Sequence, residues 1–266
     1  MEAANANSLG TTAPSNGSTP TSVGPDACPH FCTQMHLPVE LAEKAIQVAI
    51  QQNPNNIINS PDLAVPPAGG ILPGQKGAAS GGSQRLGLFV RKMWPNGITL
   101  KVRFLGFGSP FVCGKVQQYA NLWMQYAGIT FQWVDSGPAH IRITFNRGGS
   151  WSYLGTDALL RDEWEPTMNF GWFHDGTPDV EFSRTTLHEF GHALGCVHEH
   201  AQPKASIKWN KPVVYETLER ESGWGKDQVD AQLFLQYTAD HVDSSQFDAA
   251  SIMEYVRALE KHSTIE

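Results

Sequence analysis

The chain has 266 residues, 41% of them hydrophobic and 17% charged, a balance that excludes a wholly disordered protein. Its 19 lysines and arginines against 26 aspartates and glutamates give a net charge of −7, which argues against nucleic acid or an anionic membrane as a main partner. No stretch approaches the roughly 18 consecutive apolar residues of a transmembrane helix. Four cysteines are too few for a disulfide scaffold.

Composition divides the chain into three regions. Residues 1–37 are predicted to be a disordered N-terminal segment, because they are mostly small or polar and bury too little apolar area to offset the entropy of ordering. Residues 38–83 hold a short helix, over 38–52, and then a linker rich in Pro and Gly. Residues 84–266 are predicted to form the folded domain.

The N-terminal segment also bears on location. It lacks the basic and apolar regions of a signal peptide, so a cytoplasmic location is the default expectation. Secretion stays open if the start is processed or incomplete.

Strands and helices are mixed along residues 84–266. Alternation of Ile98, Leu100 and Val102 with polar residues predicts the first strand. The predicted strands span residues 98–105, 129–134, 141–145, 151–154 and 167–172, and the predicted helices span residues 110–126, 185–195, 212–221 and 226–237. This order favours an α/β (α+β) fold with a helical C-terminal part.

Four of the ten histidines fall between residues 188 and 200, and three of them are spaced as metal ligands. His188 and His192 lie four residues apart and therefore share one face of a helix. Glu189 follows the first ligand and can reach a water on the metal. Gly195 can leave the helix in a left-handed conformation, which returns His198 as a third nitrogen ligand. Three protein ligands and an open fourth position are typical of a catalytic zinc site.

The whole motif resembles that of the metzincin zinc metalloproteases. These proteases carry a methionine turn below the metal, and Ser251, Met253 and Tyr255 resemble that turn in the astacin-like family. Glu199, directly after the third histidine, matches the same family. The resemblance covers about residues 84–255. It implies a zincin-like catalytic domain with a mixed twisted sheet and an active-site helix, one catalytic Zn²⁺ ion, and zinc-dependent cleavage of peptides or proteins.

Each site residue has an expected role. Glu189 is the general base that takes a proton from the attacking water, and the general acid that returns it to the leaving amine. By resemblance, Tyr255 is a second donor to the oxyanion, and Met253 is a hydrophobic floor under the metal. Astacins usually carry other residues where Cys196 and Glu254 stand, so the chain resembles a relative of that family and not a typical astacin.

Substrate binding is expected at the edge of the sheet. Zincins generally hold an extended peptide against an edge strand. By chain order, Trp151, Ser152 and Tyr153 are candidates for that edge, as are residues 167–171. Aromatic packing in the core is the competing interpretation for Trp151 and Tyr153.

Two other functions fit the same ligands. One is a catalytically silent module that binds an extended peptide, or a latent zymogen. The presence of Glu189 argues against a site that has lost its catalytic function. The other is a different zinc hydrolase, such as an amidase. The methionine turn with Tyr255 favours peptide cleavage over the amidase.

The N-terminal Cys28, Cys32 and His36 allow three interpretations. They are a second zinc site, a thiolate cap on the catalytic zinc in a latent form, or simply a disulfide or free thiols. The spacing is not one of the strong zinc patterns, which favours the last interpretation. Cys113 and Cys196 are expected to be small core residues.

Two further features receive ordinary interpretations. Asp157, Asp162, Glu163 and Glu165 form an acidic stretch, which favours a solvated loop over a calcium site. His200 is expected to face solvent or to shape the cleft, because a hydrolytic zinc needs an open fourth position.

Overall fold

The computed structural model describes residues 32–56, 87–89, 91–106, 108–239 and 241–254. The predictions for Cys28, for the linker over 60–83 and for Tyr255 therefore lie outside the described residues.

The described strands and helices follow the mixed order that the sequence predicts. The strands are β1 Cys32–Met35, β2 Gly87–Phe89, β3 Ile98–Phe104, β4 Ile129–Trp133, β5 Ile141–Thr144, β6 Ser150–Tyr153, β7 Met168–Asn169 and β8 Val242–Ser244. The helices are α1 Ala42–Gln52, α2 Pro110–Ala120, α3 Asp179–Ala193, α4 Lys211–Ser222 and α5 Lys226–Val229. Short 3-10 turns lie at Val39–Leu41, Pro54–Asn56, Asn121–Gln125, Gly155–Leu160 and Glu199–Ala201, and a π-helical turn lies at Asp230–Phe234.

The main sheet is mixed, as expected for the α/β (α+β) class. Its six strands run in the order β1-β6-β7-β5-β3-β4. The β3/β4, β3/β5, β5/β7 and β1/β6 pairs are parallel, whereas β6 and β7 are antiparallel. Strands β2 and β8 form a separate antiparallel pair.

The core lies between this sheet and helices α2 and α3. Leu100 and Val102 of β3 are 0% exposed, which confirms the alternation seen in the sequence. Helix α2 begins where the Ser109 side chain accepts a hydrogen bond from the backbone N–H of Val112, with Pro110 in the first turn. The buried side chains of this core include Val112, Val116, Phe131, Ile141, Ile143, Phe170, Phe182 and Phe190.

The C-terminal part has its own smaller core, formed by Val214, Leu218, Trp224, Val229 and Leu233. It is helical, as predicted, but the helix expected over 226–237 is instead the short α5 followed by the π-helical turn. Within the described ranges, no helix combines the length and the apolar character that crossing a membrane requires.

Two boundaries differ from the sequence predictions. Helix α3 begins at Asp179, six residues before the predicted start, because Pro178 precedes it and the acidic Asp179 and Glu181 suit a first helical turn. Residues 32–35 lie in the segment predicted to be disordered, yet they form strand β1 against β6. The composition argument missed this strand because its hydrogen-bond partners lie more than a hundred residues away.

Candidate active site

Helix α3 and the turn after it bring the three histidines together. The ring centroids of His188 and His192 are 4.8 Å apart, and that of His198 lies 5.2 Å from the first and 4.6 Å from the second. Gly195 makes this possible: its φ of 102° is in the left-handed region, and the N–H of Cys196 bonds the carbonyl of Gly191 as the helix ends. The turn then carries His198 back towards the helix, as predicted.

Backbone carbonyls fix which ring nitrogen faces the centre. Nδ1 of His188 lies 2.8 Å from the carbonyl oxygen of Ile252, and Nδ1 of His192 lies 2.8 Å from that of Cys196. Because a carbonyl only accepts, each Nδ1 carries the proton and each Nε2 keeps a lone pair. Burial lowers the pKa of His188 to about 4 and holds those of His192 and His198 well below the usual range. All three rings are therefore neutral at pH 7, as metal ligands must be.

The donor set fits a zinc ion. The Nε2 atoms of His192 and His198 lie 3.1 Å apart, and the buried Nε2 of His188 has no protein partner within the described chain. Two lone pairs this close repel unless a cation lies between them. Two nitrogens bound tetrahedrally at about 2.0–2.1 Å are separated by about 3.3 Å, close to the observed distance. His188, His192 and His198 form a group that could hold a metal ion.

The Glu189 carboxyl group lies beside these ligands. It is 0% exposed, and the neighbouring Cys32 thiol donates a hydrogen bond to it. One of its oxygens and a ring nitrogen of His188 lie within 4.8 Å of each other. Burial raises the pKa of Glu189 to about 8. Burying a carboxyl group is costly and a thiol is only a weak donor, so this position suits a water or a ligand at the centre.

Met253 lies directly under the helix that carries the ligands. It is 0% exposed, and a Cβ placed on Gly191 would lie only 2.4 Å from its sulfur atom. The carbonyl of Met253 accepts a hydrogen bond of 2.9 Å from the N–H of Glu199, next to the third histidine. The methionine turn therefore packs against α3 and holds the segment that carries His198.

The ring of His200 stacks on that of His198, with 5.0 Å between the ring centroids. Its Nε2 lies 3.1 Å from the carbonyl oxygen of Gln232, and its Nδ1 lies 3.5 Å from the Glu254 carboxylate. The side chain is buried, so the solvent-exposed alternative is wrong. His200 joins the ligand segment to the π-helical turn and so shapes the cleft.

Trp151, Ser152 and Tyr153 lie in β6, as the substrate-edge interpretation requires. Ser152 and Tyr153 are buried, and Trp151 is half-buried. The edge position beyond β6 is filled by the chain's own β1, in a parallel register that pairs Cys32 with Ser150. Without β1, β6 would be the edge strand of the sheet.

Strand β1 places Cys32 at the zinc site. Its Sγ, an Nε2 or Nδ1 atom of His188 and a carboxylate oxygen of Glu189 all lie within 4.8 Å of one another. Cys32 is a free thiol and is 2% exposed. Burial and the neighbouring Glu189 raise the pKa of this thiol in the metal-free geometry. Of the three interpretations of the N-terminal cysteines, the cap is the one that this position favours.

The acidic stretch is not a solvated loop throughout. Asp157 is 1% exposed and pairs with Lys92, and Glu165 pairs with Arg161. The fully buried Arg142 adds order here by donating to the carbonyls of Ala139 and three residues of this loop, Ala158, Arg161 and Glu165. In the described part of the chain, the acidic residues belong to no group that could hold a metal.

Comparison with solved structures adds independent evidence. Myroilysin is 48% identical to this chain, with a TM-score of 0.62 over 64% of this chain and 82% of myroilysin. A second myroilysin structure gives 48% identity and a TM-score of 0.50, over 62% and 72% of the two chains. The hatching enzyme HCE-1 of the medaka fish Oryzias latipes, a zinc-protease, is 18% identical with a TM-score of 0.42, over 65% and 75%. No family model and no curated protein matches the sequence.

These findings bear on two expectations. The comparisons give no support to the cytoplasmic location expected by default. They do support the family, because the identity to myroilysin extends over most of that protein and the histidine motif falls at one buried centre. The chain belongs to the astacin-like metzincins and is a zinc metalloendopeptidase.

Proposed function

We propose that the chain hydrolyses peptide bonds at a single zinc ion held by His188, His192 and His198, with Glu189 as general base and acid. The observation that carries this proposal is the fully buried Glu189 carboxyl group beside three neutral imidazoles. A zinc ion bound there supplies Lewis-acid chemistry that activates water and polarises the scissile carbonyl.

The protein's own groups perform the proton transfers. Glu189 accepts the proton of the attacking water as the new C–O bond forms, and gives it to the amide nitrogen as the C–N bond breaks. Its buried position shields the proton from bulk water during the transfer. Tyr255, by resemblance to the astacin tyrosine, donates a hydrogen bond to the oxyanion, and the loss of one such donor typically costs about 10²–10³ in rate. Met253 and the carbonyl of Ile252 orient the ligands from below.

A substrate peptide takes the place of β1 along β6. Main-chain groups of Trp151, Ser152 and Tyr153 then pair with the peptide as they now pair with residues 33–35. The pairing itself is independent of sequence, so β6 supplies affinity and the surrounding side chains supply specificity.

Cys32 favours a latent form of the enzyme as a second state of the same site. Its sulfur lies within 4.8 Å of a ring nitrogen of His188 and a carboxylate oxygen of Glu189, and β1 fills the edge that the substrate needs. As a thiolate on zinc, Cys32 closes the coordination that hydrolysis needs open. Removing β1, or its sulfur, then opens the site.

The experiment compares zinc content and peptide cleavage in the full-length chain. In a Cys32→Ser background we expect about one zinc per chain and cleavage of a denatured protein, both lost on chelation. Adding Glu189→Ala should keep the zinc and lower cleavage by about 10²–10⁴-fold. Adding His192→Ala should remove both, whereas the exposed His174→Ala is the matched control. Zinc without cleavage would favour the silent binding module, and full cleavage by the Glu189→Ala chain would exclude the assigned base.

The latent state has a readout that does not depend on activity. X-ray absorption of the zinc-loaded wild type should show one sulfur at about 2.3 Å, which the Cys32→Ser chain lacks. Identical spectra from the two chains would contradict the cap.

A further inference from the structure

Strand β1 marks the path of an extended chain past the zinc site. Side chains two residues apart point to the same face of a strand, so Gln34 faces the same way as Cys32, about 6.6 Å further along. Gln34 is a polar residue of the short strand β1, yet it is only 4% exposed. Its surroundings therefore show what the cleft accepts at that position.

A tyrosine hydroxyl receives the Gln34 side chain. Nε2 of Gln34 donates a hydrogen bond of 2.9 Å to the hydroxyl oxygen of Tyr237. Burial raises the pKa of Tyr237 to about 12, so the hydroxyl stays neutral. The ring of Tyr237 packs edge-on against Phe89, which fixes the hydroxyl in place.

The side-chain amide of Gln232 forms hydrogen bonds with the backbone of Gln34. Its Oε1 accepts from the backbone N–H of Gln34 at 3.2 Å, and its Nε2 donates to the backbone carbonyl of Gln34 at 3.3 Å. A carboxamide has both a donor and an acceptor, so it can pair with an extended chain of either direction. Gln232 thus pairs with the backbone on the side opposite β6.

Tyr237 and Gln232 form a wall beside β1, and this wall is fixed to the segment that carries His198. The carbonyl of Gln232 lies 3.1 Å from Nε2 of His200, and the N–H of Tyr237 donates to the carbonyl of Ala201 at 2.8 Å. Both anchors follow His198 within three residues. The wall therefore keeps its position relative to the metal when β1 leaves.

We infer that Tyr237 and Gln232 form a substrate subsite that selects a neutral amide side chain, such as glutamine, two residues from the residue at the zinc. The inference rests on the proposed function, in which a substrate peptide replaces β1. A side chain that leaves the half-buried Tyr237 hydroxyl without a partner binds less well, so we expect about tenfold discrimination between glutamine and alanine.

The first test is independent of activity. In the zinc-loaded full-length chain, amide hydrogen exchange of residues 32–35 reports how firmly β1 is held. Gln34→Ala and Tyr237→Phe should each speed this exchange about threefold or more, and the double variant should do no more than either alone. Tyr126→Phe is the matched control, since Tyr126 is 71% exposed and lies in neither β1 nor the segment that carries Gln232 and Tyr237. Additive effects, or no effect of Tyr237→Phe, would overturn the inference.

The second test measures specificity in the full-length Cys32→Ser chain. Two peptide series that differ only by glutamine or alanine at one position should differ about tenfold in kcat/KM at one register. Tyr237→Phe should reduce that ratio to about one, whereas Tyr126→Phe should preserve it. Equal cleavage of both series would contradict the subsite alone. A chain that cleaves no peptide would contradict the proposed function, and the exchange measurement would still decide whether the pocket binds an amide.

Discussion

The Glu181 carboxylate lies in the first turn of α3, seven residues before the first ligand. It accepts hydrogen bonds from Arg184 at 2.7 Å, Thr185 at 2.8 Å and Trp172 at 3.0 Å. Burial alone would raise the pKa of Glu181, but the hydrogen bonds from Arg184, Thr185 and Trp172, with the charge of Arg184, outweigh it and lower the pKa. This carboxylate orders the start of the active-site helix.

Glu181→Gln should therefore lower the free energy of unfolding by about 1–3 kcal/mol at pH 7. Because the folded pKa lies below the unfolded one, the stabilisation is complete above the unfolded pKa and is lost as the pH falls through the folded pKa. The gap between wild type and variant should be constant from pH 7 to about 5 and shrink below about 4.5. Thermal unfolding across this range measures it, with the exposed Glu216→Gln as control. A gap that widens in acid would refute the assignment.

For individual residues, the sequence predicts well which side chains meet within one helix and turn, and predicts poorly the contacts between residues far apart in the chain. The three histidines and Glu189 were predictable because helical spacing and one glycine decide where they meet. Gln232 and Tyr237 carry no motif, and the alternation of the predicted strand over 141–145 does not indicate that Arg142 is buried. Its burial against four carbonyls depends on a loop that no local pattern describes.

The packing of α3 on the methionine turn depends on one residue without a side chain. Gly191 lies one residue before a predicted ligand, and a Cβ there would lie 2.4 Å from the Met253 sulfur and 3.3 Å from the Trp123 ring. Helix propensity alone would favour alanine, so the glycine reflects tertiary contact and not local preference.

Gly191→Ala should be destabilising by about 1–3 kcal/mol, because overpacking exceeds the helix gain. It should also weaken zinc binding, since Met253 and the neighbouring Ile252 support the ligands. Gly114→Ala in α2 is the matched control: nothing lies within 4 Å of its Cβ, so it should stabilise by up to about 1 kcal/mol. Denaturant unfolding and zinc titration measure both effects. Equal stability changes in the two variants would show that the Met253 contact is unimportant.

Elements with strong periodicity were predicted closely, as for β3 and α1, whereas short strands were missed. Strands β1, β2 and β8 have three or four residues each and are defined by partners far along the chain. Three residues cannot show a convincing alternation, and sequence does not reveal which distant strand will pair with them. The predicted strand over 151–154 corresponds to β6, but its cover by β1 was not foreseen.

Across the whole molecule, zinc joins segments that are far apart in sequence. The ligand turn, the methionine turn and β1 all meet at the three histidines. A ligand that binds only the folded state stabilises it in proportion to the logarithm of its concentration. Chelation should therefore lower Tm, and added zinc should raise it progressively. If metal analysis shows that zinc binds but Tm does not change with zinc concentration, the ion binds the unfolded chain equally well.

The cap also predicts that zinc controls the reactivity of a thiol. Cys32 is 2% exposed, and the proposed cap engages its sulfur in the zinc-loaded wild type, so iodoacetamide should modify it slowly there. Chelation removes the bond that holds β1 in place, and the rate should rise about tenfold or more. Cys113, which is half-buried in α2 and belongs to neither group that could hold a metal, is the internal control and should keep its rate. Mass spectrometry resolves the two thiols in one sample. If Cys32 reacts equally fast with and without zinc, its sulfur does not bind the metal, and β1 is held by strand pairing and by Gln34 alone.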